Sequence, residues 1–248
     1  SFKEVKRQLE VVDAELREAH ARQAKEKARQ PRPSESDDIV YGMFPRHVAE
    51  ALLRGEKVPE DRRDCATVFF SDIVAFTTIS STLESHQVSD MLDRLFRRFD
   101  DIAAEHGIHK LETIGDCYIG CSNLVENQPD DHARRMALFS LGVQAAAAET
   151  LVDPDDPDKG SVRIRVGFDS GPVVGNVVGK RYKKYTIFGN TVNTASRMES
   201  SGLPGRIQCT KRAADLLLKQ DAGFEVEVRG EVEVKGKGKM RTFWLVRE

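Results

Sequence analysis

Two aspartates stand where acidic oxygens could do chemistry. Asp72 closes the apolar run ATVFFSDIV (66–74), and Asp116 falls between two short apolar stretches, IHKLETIG (108–115) and DCYIGCS (116–122). If those segments are neighbouring strands, both carboxylates meet at one edge of a sheet. Hard oxygen ligands placed this way suit Mg²⁺ or Mn²⁺, above all a pair of ions acting on phosphate oxygens. Either Asp alone also reads as a turn residue or a helix cap, so the pairing carries the inference. Asn193 and Arg197, in NTVNTASRMESS (190–201), are spaced i, i+4 and share one face of a helix. By itself Arg197 would read as half of a surface salt bridge.

Other chemistries find less support. GNVVGKRYKK (175–184) has three residues between Gly175 and Gly179 where a P-loop needs four, and Arg181 replaces the hydroxyl residue that would hold Mg²⁺. The basic run Lys180, Arg181, Lys183 and Lys184 reads as a solvated hairpin that draws in a polyanion. Cys65, Cys117, Cys121 and Cys209 contain no CxxC pair and read as reduced thiols, which points to the cytoplasm. His47, His86 and His132 read as surface or helix residues, not zinc ligands.

The elements that must position these residues follow from pattern. From Ala66 onward strands alternate with helices: strand 66–74, amphipathic helix 88–107, strands 108–115 and 116–122 with Gly115 and Asp116 at the turn, helix 130–151 and an acidic loop at 153–160. Strands SVRIRVGFDSG (161–171) and PVVGNVV (172–178) and helix 190–201 complete the pattern. Strand–helix–strand–strand–helix–strand is the ferredoxin-like order, so the fold class is α+β with a mainly antiparallel sheet. Ahead of it, Phe2, Val5, Leu9, Val12, Leu16 and Ala19 form an a/d seam flanked by charges, which predicts a parallel two-stranded coiled coil over 1–30. QPRPSESDD (30–38) is a break, and a short helix is expected from Met43 to Arg54. The expected organisation is a dimerisation helix at 1–30, a linker with a lead-in helix at 31–64, and a catalytic domain at 65–248.

The chain has 248 residues, 40% of them hydrophobic, and 38 Lys+Arg against 40 Asp+Glu give a net charge of -2. That near-neutral balance argues against a nucleic-acid binder. No run approaches the roughly 18 apolar residues of a membrane span, so no membrane contact is expected of this segment. Ser1 in place of an initiator Met reads as a fragment of a longer protein, either cytoplasmic or membrane-anchored with this part on the cytosolic side.

FFSDIVAFT (69–77), KLETIGDCY (110–118), RVGFDSGPVVGNVVG (165–179), YTIFGNTVNTASRMES (185–200) and VKGKGKMRTFWL (234–245) together resemble the signature segments of class III nucleotide cyclase catalytic domains, in that family's order and spacing. The resemblance spans about residues 38–248 and is most like guanylyl cyclases. It implies that GTP is converted to cGMP and pyrophosphate by in-line attack of the ribose 3′-oxygen on the α-phosphate. Asp72, Asp116 and the backbone carbonyl of Ile73 would hold two Mg²⁺ or Mn²⁺ ions. Asn193 would position the ribose, Arg197 would stabilise charge on the α-phosphate, and Arg165 and Lys235 would bind the triphosphate, with Lys237 and Lys239 as nearby alternatives to Lys235. In the family each site is shared across a two-fold homodimer, which gives the heptad a role in aligning the two domains under an upstream sensor or receptor domain.

The resemblance also bears on the base. Glu112 falls where guanylyl cyclases carry Glu and adenylyl cyclases Lys; a carboxylate accepts from guanine N1–H and N2–H and would face the lone pair of adenine N1. Thr186 departs from the Cys of guanylyl and the Asp of most adenylyl enzymes, and a hydroxyl serves either base. Lys184, where guanylyl cyclases often have Arg, suits guanine O6, whereas Asn190 leans to the adenylyl pattern. The charge of Glu112 favours GTP, with an ATP-using or dual-specificity enzyme as the alternative. A catalytically silent dimerisation partner is the rival from another class, disfavoured because both the carboxylates and the Asn/Arg pair are present.

Overall fold

Thirteen residues, Asp61–Ile73, form the central strand β1, whose apolar stretch is buried on both faces. The structure is a computed structural model that describes residues 35–246. The chain divides into two units, 1–56 and 57–248. In the first, helices α1 (Glu35–Met43) and α2 (Arg46–Leu53) are separated at Phe44 and Pro45. This corrects the single helix expected from Met43 to Arg54: a residue ahead of proline is driven out of the helical region, and Pro45 then caps the next helix. α1 also starts inside the stretch read as a break. The coiled coil expected at 1–30 lies outside the described residues.

In the second unit, β1 leads through α3 (Phe76–Thr82) and α4 (Ser85–His106) to the hairpin β2 (His109–Ile114) and β3 (Cys117–Ser122), then through α5 (His132–Glu149) to β4 (Ile164–Val178). β5 (Lys184–Phe188), α6 (Asn190–Ser200), β6 (Ile207–Thr210), α7 (Lys211–Gln220), β7 (Glu225–Val234) and β8 (Gly238–Val246) follow. The strand order is β2-β3-β1-β4-β6-β8-β7, with β5 folded back on β4. The β1, β2, β3 and β4 part is the expected ferredoxin-like arrangement, and among the described residues only the β4 and β6 pair runs parallel. β4 is one strand where two were expected. Pro172 has no N–H to give, and the chain absorbs the loss as an irregularity opposite Arg63–Ala66 without ending the strand.

Alternation along β1 and β4 assigns the two faces of the sheet. Phe69, Ile73, Ile164, Val166 and Phe168 enter one core with Met91, Leu95 and Phe99 of α4, Met136, Phe139 and Val143 of α5 and Leu217 of α7. Burial of each such side chain is worth about 1.5–3 kcal/mol, and the Phe69 and Phe139 rings meet edge-on at 4.9 Å. His132, a helix residue as expected, is buried rather than on the surface, with Nδ1 2.8 Å from Thr67 Oγ1. Residues of opposite parity, Asp72 on β1 and Arg165, Gly167 and Asp169 on β4, face the other way, towards α6.

Candidate functional site

The two-residue turn Gly115–Asp116 closes the β2–β3 hairpin, with Gly115 at positive φ (61°). It swings Asp116 over the end of β1, where its Oδ2 accepts from the Ile73 amide at 3.1 Å. The carboxylates of Asp72 and Asp116 are thereby neighbours, as the strand-end reading required. Across β1–β4, Asp72 is opposite Arg165. The guanidinium donates through Nη2 to Asp72 Oδ1 (3.0 Å) and through Nε to Glu199 Oε1 (2.9 Å).

One cation among three acids leaves an excess of negative charge. Burial, then the Asp116 charge, pushes Asp72 up to about 6 despite Arg165. Burial, then Asp72, pushes Glu199 up to about 7. The Cys117 thiol is driven up to about 12, first by burial and then by Glu199, Asp72, Asp116 and Glu112. Like charges held together in a partly desolvated site are relieved by a cation. The oxygen-only donor set of Asp72, Asp116 and the Ile73 carbonyl fits a hard divalent ion. Among the described residues, no group of three or more His, Cys, Asp or Glu is arranged as a metal cage. Two carboxylates and a carbonyl leave the remaining positions to phosphate or water oxygens.

Asn193 and Arg197 are on α6 but not at this acidic edge. Arg197 and Glu199 are two residues apart, about 200° around the helix. Glu199 is 6% exposed and rests on Arg165, whereas Asn193 is exposed and Arg197 half-buried. Among the described residues no carboxylate forms a salt bridge with Arg197, which removes its ordinary reading as a surface ion pair. Within one chain, therefore, the Asn/Arg face of α6 points away from Asp72 and Asp116.

The base-recognition candidates do come together. Lys184 at the start of β5 forms an ion pair with Glu112 of β2. Thr186, two residues along β5, lies on the same face as Lys184. Glu112 is the less exposed partner, its side chain 19% accessible against 56% for Lys184. In the β7–β8 turn Lys237 donates to Asn190 Oδ1 at the start of α6, while Lys235 is exposed. Sequence reasoning missed Glu199, which looked like one more polar residue at a helix end. It also missed Ala75, held at φ 58° between β1 and α3, two residues past Ile73.

Residues 58–247 match the family described as the adenylate and guanylate cyclase catalytic domain. Guanylate cyclase soluble subunit beta-2 of Rattus norvegicus is 40% identical over 240 residues, 96% of this chain and 33% of that protein. Human retinal guanylyl cyclase 1 is 44% identical over 213 residues, 85% of this chain and 19% of its own. The chain thus spans about a third or less of these relatives' length. Among solved structures, the guanylate cyclase domain of RhGC from Catenaria anguillulae, in complex with GTP, is similar with a TM-score of 0.69 at 36% identity, over 77% of this chain and 100% of that one. A rhodopsin-guanylyl cyclase core with converted specificity, in complex with ATPαS, gives a TM-score of 0.70 at 35% identity, over the same 77% and 100%.

Proposed function

Because the chain belongs to the adenylate and guanylate cyclase catalytic domain family, we propose that it is a guanylyl cyclase whose sites form only between two copies of the chain. The observation that carries this reading is the opposition of the two faces of α6. Glu199 ties one face to the Asp72 side of its own chain, so Asn193 and Arg197 are free to serve the carboxylates of a second copy, and a two-fold dimer makes two such sites. Residues 1–30 would hold the two copies parallel, under whatever sensor the parent protein carries.

In the proposed reaction the ribose 3′-oxygen attacks the α-phosphorus in line, the bond from that phosphorus to the β-phosphate bridging oxygen breaks, and pyrophosphate leaves as the hydroxyl proton is lost. A divalent metal, when bound by Asp72, Asp116 and the Ile73 carbonyl, supplies Lewis acidity to that hydroxyl and neutralises triphosphate charge. The residues of the chain do the rest. Arg197 places its guanidinium where charge grows on the α-phosphate, Asn193 orients the ribose, and Lys235 meets the terminal phosphates. Arg165, already on Asp72 and Glu199, keeps the acidic edge in register and is a second cation within reach of the triphosphate.

For the base, Glu112 accepts from guanine N1–H and N2–H, and its ion pair with Lys184 aims the carboxylate. A mismatched buried acceptor against adenine N1 costs about 1–3 kcal/mol. Thr186 favours neither base, and the structural relative that holds ATPαS after conversion of its specificity belongs to the same scaffold. ATP is accordingly the alternative substrate. The test is product formation from GTP and ATP, separately and in competition, with Mg²⁺ and with Mn²⁺. Predominant cGMP is expected. Predominant cAMP would overturn the weight given to Glu112, and no cyclic product from either nucleotide would overturn the enzyme reading in favour of a silent partner.

A further inference from the structure

Asp169 lies on β4 with 0% exposure, on the face that carries α6, and four donors converge on it. Its Oδ1 accepts from the Ser170 amide (2.9 Å), Thr210 Oγ1 (2.5 Å) and Arg212 Nε (2.9 Å), and its Oδ2 from Arg212 Nη2. The same Nη2 donates to Thr191 Oγ1 at 3.2 Å, and that hydroxyl donates to the Pro172 carbonyl at 2.9 Å. Thr191 is in the first turn of α6, two residues before Asn193.

α6 is thus fixed to three alternate residues of one strand. Its C-terminal end is held by Glu199 on Arg165. Its backbone lies on Gly167, where an added Cβ would come within 1.9 Å of the Glu199 nitrogen. Its first turn is held by Thr191, through Arg212, on Asp169. Balancing the buried charge of Asp169 needs only a cation. A planar guanidinium that grips both carboxylate oxygens and passes one donor on to Thr191 also fixes direction.

We propose that Arg212 is a positioning residue that, clamped on Asp169, sets the first turn of α6 through Thr191 and so fixes where Asn193 and Arg197 stand. It rests on the cyclase reading for what those two residues do, and on the structure alone for how α6 is held. The experiment compares Thr191→Val, Arg212→Lys and the double variant in the full chain. Arg212→Lys keeps the charge beside Asp169 but loses the fork. It is expected to hold Tm within a few degrees of wild type while kcat with GTP falls about tenfold and KM stays within about twofold. Thr191→Val should show the same split, and the double variant should be no worse than the poorer single. A purely structural role predicts instead that Tm and kcat move together, so that Arg212→Lys, which keeps the charge, leaves both near wild type; that result, or losses that multiply in the double variant, overturns the proposal. Amide hydrogen exchange gives a readout that needs no turnover: exchange at Asn193 and Thr194 should quicken about tenfold in both single variants, with Arg197 to Ser201 unchanged. Unchanged exchange at the first turn overturns the clamp. A wild-type chain without cyclic product overturns the cyclase reading and leaves exchange to decide this one.

Discussion

Arg197 and Glu199, two residues apart on α6, point to opposite sides of it: Glu199 is buried on Arg165 inside its own chain and Arg197, half-buried, is on the other side. A chain lacking Asp72 and a chain lacking Arg197 should therefore each be inactive alone yet complement each other. Random pairing makes about half of the dimers mixed, and each mixed dimer keeps one intact site of two, so an equal mixture of Asp72→Ala and Arg197→Ala should recover about a quarter of wild-type turnover. Mixing the purified variants and assaying cyclic nucleotide checks this; no recovery would mean that the site is built within one chain.

The acidic edge is held against its own repulsion, which a bound cation would relieve. Removing one charge should stabilise the metal-free fold while ending turnover. Asp72→Asn is expected to raise metal-free stability near pH 8 by about 1 kcal/mol, a figure reduced for the solvent access of the side chain. Urea denaturation of the two proteins in the presence of a chelator measures it, and a less stable Asp72→Asn would show that Arg165 outweighs the repulsion.

The same groups fix a pH dependence of unusual sign. Asp72 and Glu199 titrate higher in the folded chain, about 6 and about 7, than as free carboxyls, so the folded state binds their protons more tightly. Their contribution is present at low pH and lost as pH rises through those values. Metal-free Tm should therefore climb as pH is lowered from about 8 to about 6.5, and saturating Mn²⁺, which holds the charged forms, should flatten the slope. Buried His132, whose pKa is lowered from 6.5 by burial, works in the opposite sense below that value, so the window stops there. Scanning calorimetry at several pH values, with and without Mn²⁺, decides it.

Ala75 occupies the left-handed region at φ 58°, where a Cβ costs roughly 1–2 kcal/mol. Glycine removes that strain and returns part of the gain as entropy of the unfolded chain. Ala75→Gly should stabilise by about 0.5–1 kcal/mol, read as a raised urea midpoint with an unchanged slope.

How much of this was legible in the sequence depended on whether the signal was local. The β2–β3 hairpin could be read because Gly115 and Asp116 punctuate two apolar runs. Asp72 could be read because an acid ending an apolar strand needs a reason. The division at Pro45 and the persistence of β4 through Pro172 are the same residue type with opposite outcomes. In the helical segment the ring stops one helix and caps the next, whereas in β4 a long neighbouring strand keeps the chain extended. Glu199 could not be read at all, because nothing near it in sequence shows that Arg165, opposite Asp72, will draw it under the helix. Which of Lys235, Lys237 and Lys239 would meet α6 was likewise closed to pattern, since Asn190, which engages Lys237, is 47 residues away.

With the base contacts proposed above, the Glu112–Lys184 pair makes the route from one base to the other indirect. Glu112→Lys alone would set two ammonium groups against each other, leaving no acceptor for guanine and an ill-placed donor for adenine. It should lower GTP turnover at least about a hundredfold without a matching gain for ATP. Adding Thr186→Asp on the same face of β5 supplies a carboxylate that can pair with the new lysine and accept from adenine N6–H. The double variant is therefore expected to favour ATP where the single favours nothing. Competition assays with both nucleotides on wild type, Glu112→Lys and the double variant separate the cases. If Glu112→Lys alone turned over ATP well, Lys184 would have to swing clear of the pocket, and its pairing with Glu112 would not constrain the base.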